Sequence, residues 1–82
     1  MATDVVIARG DNWCGLYINR KLEYESHNIS AEGALRCLVG HTIATFVTGE
    51  VNDEWLDENG TMPKDIRDIE WYHAPPKWAI GG

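Results

Sequence analysis

Apolar and polar positions follow a period of two through the first third of the chain. Asp4-Val5-Val6-Ile7-Ala8-Arg9 is a short β-branched run closed by Gly10-Asp11-Asn12, which predicts a strand and a turn. Cys14, Leu16 and Ile18 then alternate with Gly15, Tyr17 and Asn19, the pattern of a half-buried strand. Leu22, Tyr24 and Ser26 against Glu23, Glu25 and His27 predict a third strand with a charged outer face. The register of this hairpin follows from keeping faces together. A two-residue loop at Asn19-Arg20 would pair Leu16 with Glu23. A three-residue loop, Asn19-Arg20-Lys21, pairs Ile18 with Leu22 and Leu16 with Tyr24, and is expected together with a bulge. It requires Arg20 or Lys21 to take a positive φ.

Beyond Ser30, a natural N-cap, the period lengthens. Ala31, Ala34, Leu35, Leu38 and Val39 recur at helical spacing up to Gly40, predicting one main helix laid on the sheet. His41 to Glu50 reads as a fourth strand ending at Gly49. Asn52 or Asp53 caps a short helix, Asp53 to Glu58, stopped by Asn59-Gly60. Thr61 to Asp65 suggests one more helical turn with Pro63 in its first position. Ile69 and Trp71 alternate with Glu70 and Tyr72 as a last strand. Pro75 and Pro76 make residues 73–82 an extended tail. The order βββαβ, short helical turns, then β predicts one compact α+β domain over residues 1–82, with an antiparallel sheet of four to five strands.

Composition narrows what such a domain does. Thirteen acids against seven Lys and Arg give a formal charge of −6. That charge repels phosphate, and so argues against direct nucleic-acid binding or adhesion to an anionic membrane. The longest apolar runs fall well short of the roughly 20 residues a membrane span needs, and no basic segment precedes an apolar one. Two cysteines, Cys14 and Cys37, sit among apolar neighbours and read as reduced, buried thiols of a cytoplasmic protein.

Chemistry at the thiols and imidazoles has little local support. Cys14 or Cys37 with His27, His41 or His73 would make a thiol–imidazole pair, yet no nucleophile elbow or Gly-rich cradle accompanies them. Cys37-x3-His41, with Cys14 and His27, would give four zinc ligands but lacks the close cysteine pair that organises such sites. The reading is a non-enzymatic protein with no cofactor and no metal.

Charge and aromatics carry the sharper signal. Glu50 to Glu70 holds eight acids against Lys64 and Arg67, which accounts for the whole formal charge. Asp53 with Asp57, and Glu54 with Glu58, are like-charge i,i+4 pairs that cost a helix a few tenths of a kcal/mol each. Folding alone would not choose them. Glu50, Asp53, Glu54, Asp57 and Glu58 are therefore the candidate contacts for a basic partner. Trp13 in a turn, Trp78 in the tail and Tyr17 on the strand face opposite Leu16 and Ile18 are the candidate aromatic anchors, with Trp55 and Trp71 assigned to the core.

The segments Gly10-Asp11-Asn12-Trp13-Cys14-Gly15-Leu16-Tyr17-Ile18 and Lys21-Leu22-Glu23-Tyr24-Glu25-Ser26-His27 are similar to a recurrent hairpin of small acidic accessory proteins of phages and prophages. That class includes anti-CRISPR and other anti-defence inhibitors, some of which mimic nucleic-acid charge. The resemblance lies in architecture and composition and carries over no functional residue. It implies an inhibitor that blocks a basic, nucleic-acid-binding surface of a host or phage protein in the host cytoplasm. The alternative is a structural or assembly protein acting through a homodimer or larger homo-oligomer, for which an exposed edge strand near the Pro-rich tail is the expected sign.

Overall fold

The structure, a computed structural model, describes residues 2–29 and 42–80. The helix expected from Ser30 to Val39, with Cys37 and His41, lies outside the described residues. The others form an α+β unit on one five-stranded sheet. Its strands are β1 (Ala2–Arg9), β2 (Cys14–Ile18), β3 (Lys21–Ser26), β4 (Thr42–Val51) and β5 (Trp71–His73), in the order β3-β2-β1-β4-β5. A seven-residue helix, α1 (Asp53–Asn59), a 3-10 turn at Ile66–Asp68 and a one-turn helix, α2 (Lys77–Ile80), complete it.

The sheet is mixed rather than wholly antiparallel. β1 and β4 run parallel, with Val5 beside Phe46 and Ile7 beside Thr48, while the other neighbours are antiparallel. Parallel neighbours cannot be joined by a tight hairpin, and β1 and β4 stand apart in sequence, with β2 and β3 between them. β1 is thereby the central strand, and Val5, Val6, Ile7 and Ala8 are all buried. A strand buried on both faces reads as a continuous apolar run, as this one does.

The hairpin keeps the expected Leu16–Tyr24 pair by a different route. Its loop has two residues, Asn19 and Arg20, both at positive φ (50° and 71°), as primed hairpin turns demand. The face-mixing that this loop would cause is corrected by a bulge at Glu23, since Tyr17 pairs with Leu22 and Leu16 with Tyr24. The extra residue sits in the strand, not in the loop.

Each face of β1 and β2 has its own core. Val5, Ile7, Cys14, Leu16, Ile18 and Ile29 form one cluster, so the free thiol of Cys14 is a buried hydrophobe. On the other face Val6, Ala8, Tyr17 and Val51 pack beneath Leu56, Met62, Ile66, Ile69 and Ala79. The acidic segment is thus also a covering layer, with its apolar side turned onto the sheet. Two glycines make room for it. A Cβ at Gly15 would lie 2.9 Å from Cγ of Met62, and one at Gly49 would lie 2.7 Å from both the Trp71 ring and Pro75.

Local sequence explains most of this layer. Asn52 caps α1, its side chain accepting the Trp55 N–H at 3.1 Å, and Gly60 at φ 85° ends it. No helical turn forms over Thr61 to Asp65. There the Pro63 carbonyl accepts the Tyr17 hydroxyl and the Lys64 carbonyl accepts the Leu22 N–H, so both are spent across the fold. The turn begins one residue later, capped by Asp65, which accepts the Arg67 N–H at 2.9 Å. β5 is short, and Ile69 belongs to the end of the turn. The tail is not extended throughout. Pro76 stands where a helix needs no N–H, its carbonyl accepts the Ala79 N–H at 2.9 Å, and α2 buries Ala79.

Candidate functional site

The carboxyl ends of the parallel pair, β1 and β4, open onto a groove of about 590 Å³. Arg9, Asp11, Glu50, Asp53, Glu54 and Tyr72 are among its walls. Each is placed by a local feature: Arg9 and Asp11 by the β1–β2 turn, Glu50 by the last residues of β4, Asp53 and Glu54 by the first turn of α1, Tyr72 by β5. A second hollow of about 280 Å³ lies on the other side of α1, lined by Trp13, His27, Asp57 and Gly60 among others. α1 therefore stands as an acidic ridge between two depressions.

The fold divides the acidic stretch into two unlike parts. Lys64, Asp65, Arg67 and Asp68 go to the far end of the sheet, beside the β2–β3 turn, where Ile66 N–H donates to the Arg20 carbonyl and Lys21 bridges Asp65. Asp65 and Arg67 form an ion pair there at 2.9 Å, and its hydrogen bonds hold the Asp65 carboxyl down at about 2. Glu50, Asp53 and Glu54 stay together at the groove, joined by Asp11, with Asp57 and Glu58 further along α1 and the Glu70 carbonyl accepting the Asn52 N–H. Arg9 is the single cation lining the groove among the described residues, and it donates to the Ile29 carbonyl at 3.5 Å.

Not every acid at this end is spare. Asp53 is half-buried and its carboxylate accepts the backbone N–H of Asp11 at 2.8 Å, so the fold does use it. Glu54 lies in the first turn of α1, where a negative charge suits the helix dipole. Asp57 and Glu58 face the opposite end of that dipole, with no basic residue in the last turn to offset them. The side chains of Glu50, Glu54, Asp57 and Glu58 are exposed and make no hydrogen bond or ion pair among the described residues.

The aromatic candidates fare differently. Tyr17 is fully buried under the covering layer, where burial and the carboxylates of Glu25, Asp65 and Asp68 push its phenol upward. It anchors the core. Trp13 is half-buried, its indole N–H donating to Glu25 at 2.7 Å and its ring set edge-on to His27 at 5.0 Å. Trp78 is 54% exposed, and Trp55 and Trp71 pack against the core. Alternation missed Tyr72, which is 68% exposed at the groove and stands edge-on to His73. Its position in the last strand, next to Glu70 and opposite the end of β4, was the available signal.

The described residues hold no group of three or more His, Cys, Asp or Glu arranged to bind a metal ion, and no helix among them is long and apolar enough to cross a membrane. No protein family, curated protein or solved structure matches the chain.

Proposed function

We propose that this chain is a non-enzymatic binding protein whose groove end seats a basic surface of another protein. The observation that carries the reading is the run of exposed carboxylates at Glu50, Glu54, Asp57 and Glu58, unpartnered among the described residues, of which Glu50 and Glu54 line the groove that has Tyr72 on its wall. Like charges held together at a helix cost folding energy, and a cationic partner recovers it on association. Tyr72 adds a rigid ring with a polar tip, a side chain suited to anchoring such a contact. A partner surface that ordinarily binds nucleic acid has the matching chemistry, Lys and Arg spaced for phosphates, so occupation of it amounts to inhibition. The phage-type inhibitor implied by the hairpin resemblance is of this kind.

The test uses an Arg-rich peptide taken from a nucleic-acid-binding segment. Saturable binding that weakens steeply with salt, and is lost in Glu50→Lys/Glu54→Lys, supports the reading. Affinity indifferent both to salt and to those charge reversals overturns it.

A further inference from the structure

We propose that the outer edge of β4 from Thr42 to Thr48 is a self-association site, along which two copies of the chain pair antiparallel and extend the sheet across a two-fold axis. β5 pairs with β4 only at Glu50 and Val51, and Trp71 and Pro75 close over Gly49. Among the described residues, no strand lies beyond the seven residues before that point. An open row of backbone donors and acceptors is a template for another strand.

The other edge is guarded. On β3, Lys21 bridges Asp65 and the Leu22 N–H donates to the Lys64 carbonyl, so the covering layer occupies the start of that edge. Exposed Glu23 puts charge on the rest, a usual defence against edge pairing. β5 is only three residues long. The β4 interval, Thr-Ile-Ala-Thr-Phe-Val-Thr, has no charge, no proline and no glycine, and it is rich in the residues that strands favour. Phe46 (43% exposed) and Thr48 stand on the same face as Val5 and Ile7, their neighbours in β1.

Charge and length select a second copy as the occupant. A chain of charge −6 repels its like over most contacts, but this interval is neutral. An antiparallel pair centred on Thr45 places the two Glu50 residues beyond opposite ends, roughly 30 Å apart and several Debye lengths at physiological salt. Within the interval itself no residue is charged. The carboxylate beside it, Asp4 of β1, is already spent on the Thr45 hydroxyl, which donates to it at 2.9 Å, so a basic partner gains little there. The lengths also match, because the strand of one copy begins at Thr42 where the β5 of the other takes over its edge. The same register sets the two Phe46 rings on a diagonal of one face, with backbones roughly 7–8 Å apart and rings within contact.

Light scattering and sedimentation of the full chain, from micromolar to millimolar concentration, test this. So short an interface belongs to the weak class, below about 1,200 Å² of buried surface. The mass is expected to rise with concentration towards twice 9.2 kDa. Thr48→Lys is expected to weaken association about tenfold, because a lysine on the edge strand has to be desolvated against the other copy's strand, with circular dichroism and melting unchanged. Should that variant melt early, Phe46→Lys provides the same reading from a second exposed position. A monomer at millimolar concentration overturns the proposal. So does a dimer that tolerates both lysines, or one abolished by Glu54→Lys, which places the contact at the groove end instead.

Discussion

Asp53 reaches across 42 positions of sequence to Asp11, its carboxylate accepting the backbone N–H at 2.8 Å. That bond fastens the first turn of α1 to the turn leaving the central strand. Beside it, a Cβ on Gly10 would lie 2.6 Å from a Leu56 methyl, so helix and turn meet with no space for a side chain. The acidic ridge is held by its apolar side and by one of its own acids.

Asp53→Ala is expected to lower stability by about 0.5–1.5 kcal/mol, because it removes the bond that ties α1 to the exposed Asp11 amide. Asp53→Asn keeps an acceptor and is expected to recover most of that loss. Urea denaturation of the two variants measures the difference. The order Asn above Ala separates this bond from a general effect of removing charge.

Tyr17 supplies a pH signature. Its folded-state phenol titrates above the unfolded value near 10, chiefly because it is buried. The neutral form is what the fold favours, so this contribution is complete below pH 10 and is lost as the pH climbs from there towards the folded value. Within that range wild-type stability should fall by up to about 1.4 kcal/mol per pH unit relative to Tyr17→Phe. At neutral pH the same substitution removes the hydroxyl bond to Pro63 and is expected to cost about 1 kcal/mol. Parallel denaturation curves at pH 8 and above check both parts.

Two glycines should fail for different reasons. At Gly60 an added Cβ would meet nothing within 4 Å, but the residue sits at φ 85°, so Gly60→Ala is expected to cost about 1 kcal/mol from backbone strain alone. Gly49 has no such φ but is closed over by Trp71 and Pro75, and Gly49→Ala is expected to cost about 1–3 kcal/mol by overpacking. Only the second should perturb Trp71 fluorescence.

Much of the fold was legible where the determining residues are neighbours. Asn52 and Gly60 bound α1 by their own caps, and alternation put Leu16 opposite Tyr24. What escaped depends on distant chain. The parallel pairing joins β4 to a strand about 40 positions earlier, which no local pattern records. Tyr17 looked like an outward residue because its strand alternates. Its face is nonetheless buried, since Met62, Ile66 and the Pro63 carbonyl arrive from 45 or more positions away. The acidic stretch was visible as one block, whereas the fold sends Asp65 and Asp68 to one end of the sheet and Glu50 to Glu58 to the other. Composition showed how much charge there is, and topology shows which part of it shares a groove.

A basic partner is proposed to sit at this groove end. Amide chemical-shift mapping during titration with an Arg-rich peptide tests it most directly. Saturable shifts are expected, confined to Asp11, Glu50, Glu54, Asp57, Glu58 and Tyr72 and disappearing in Glu50→Lys/Glu54→Lys while the spectrum of the core stays in place. Shifts centred on Asp65 and the β2–β3 turn, or no shifts at low salt, would contradict it.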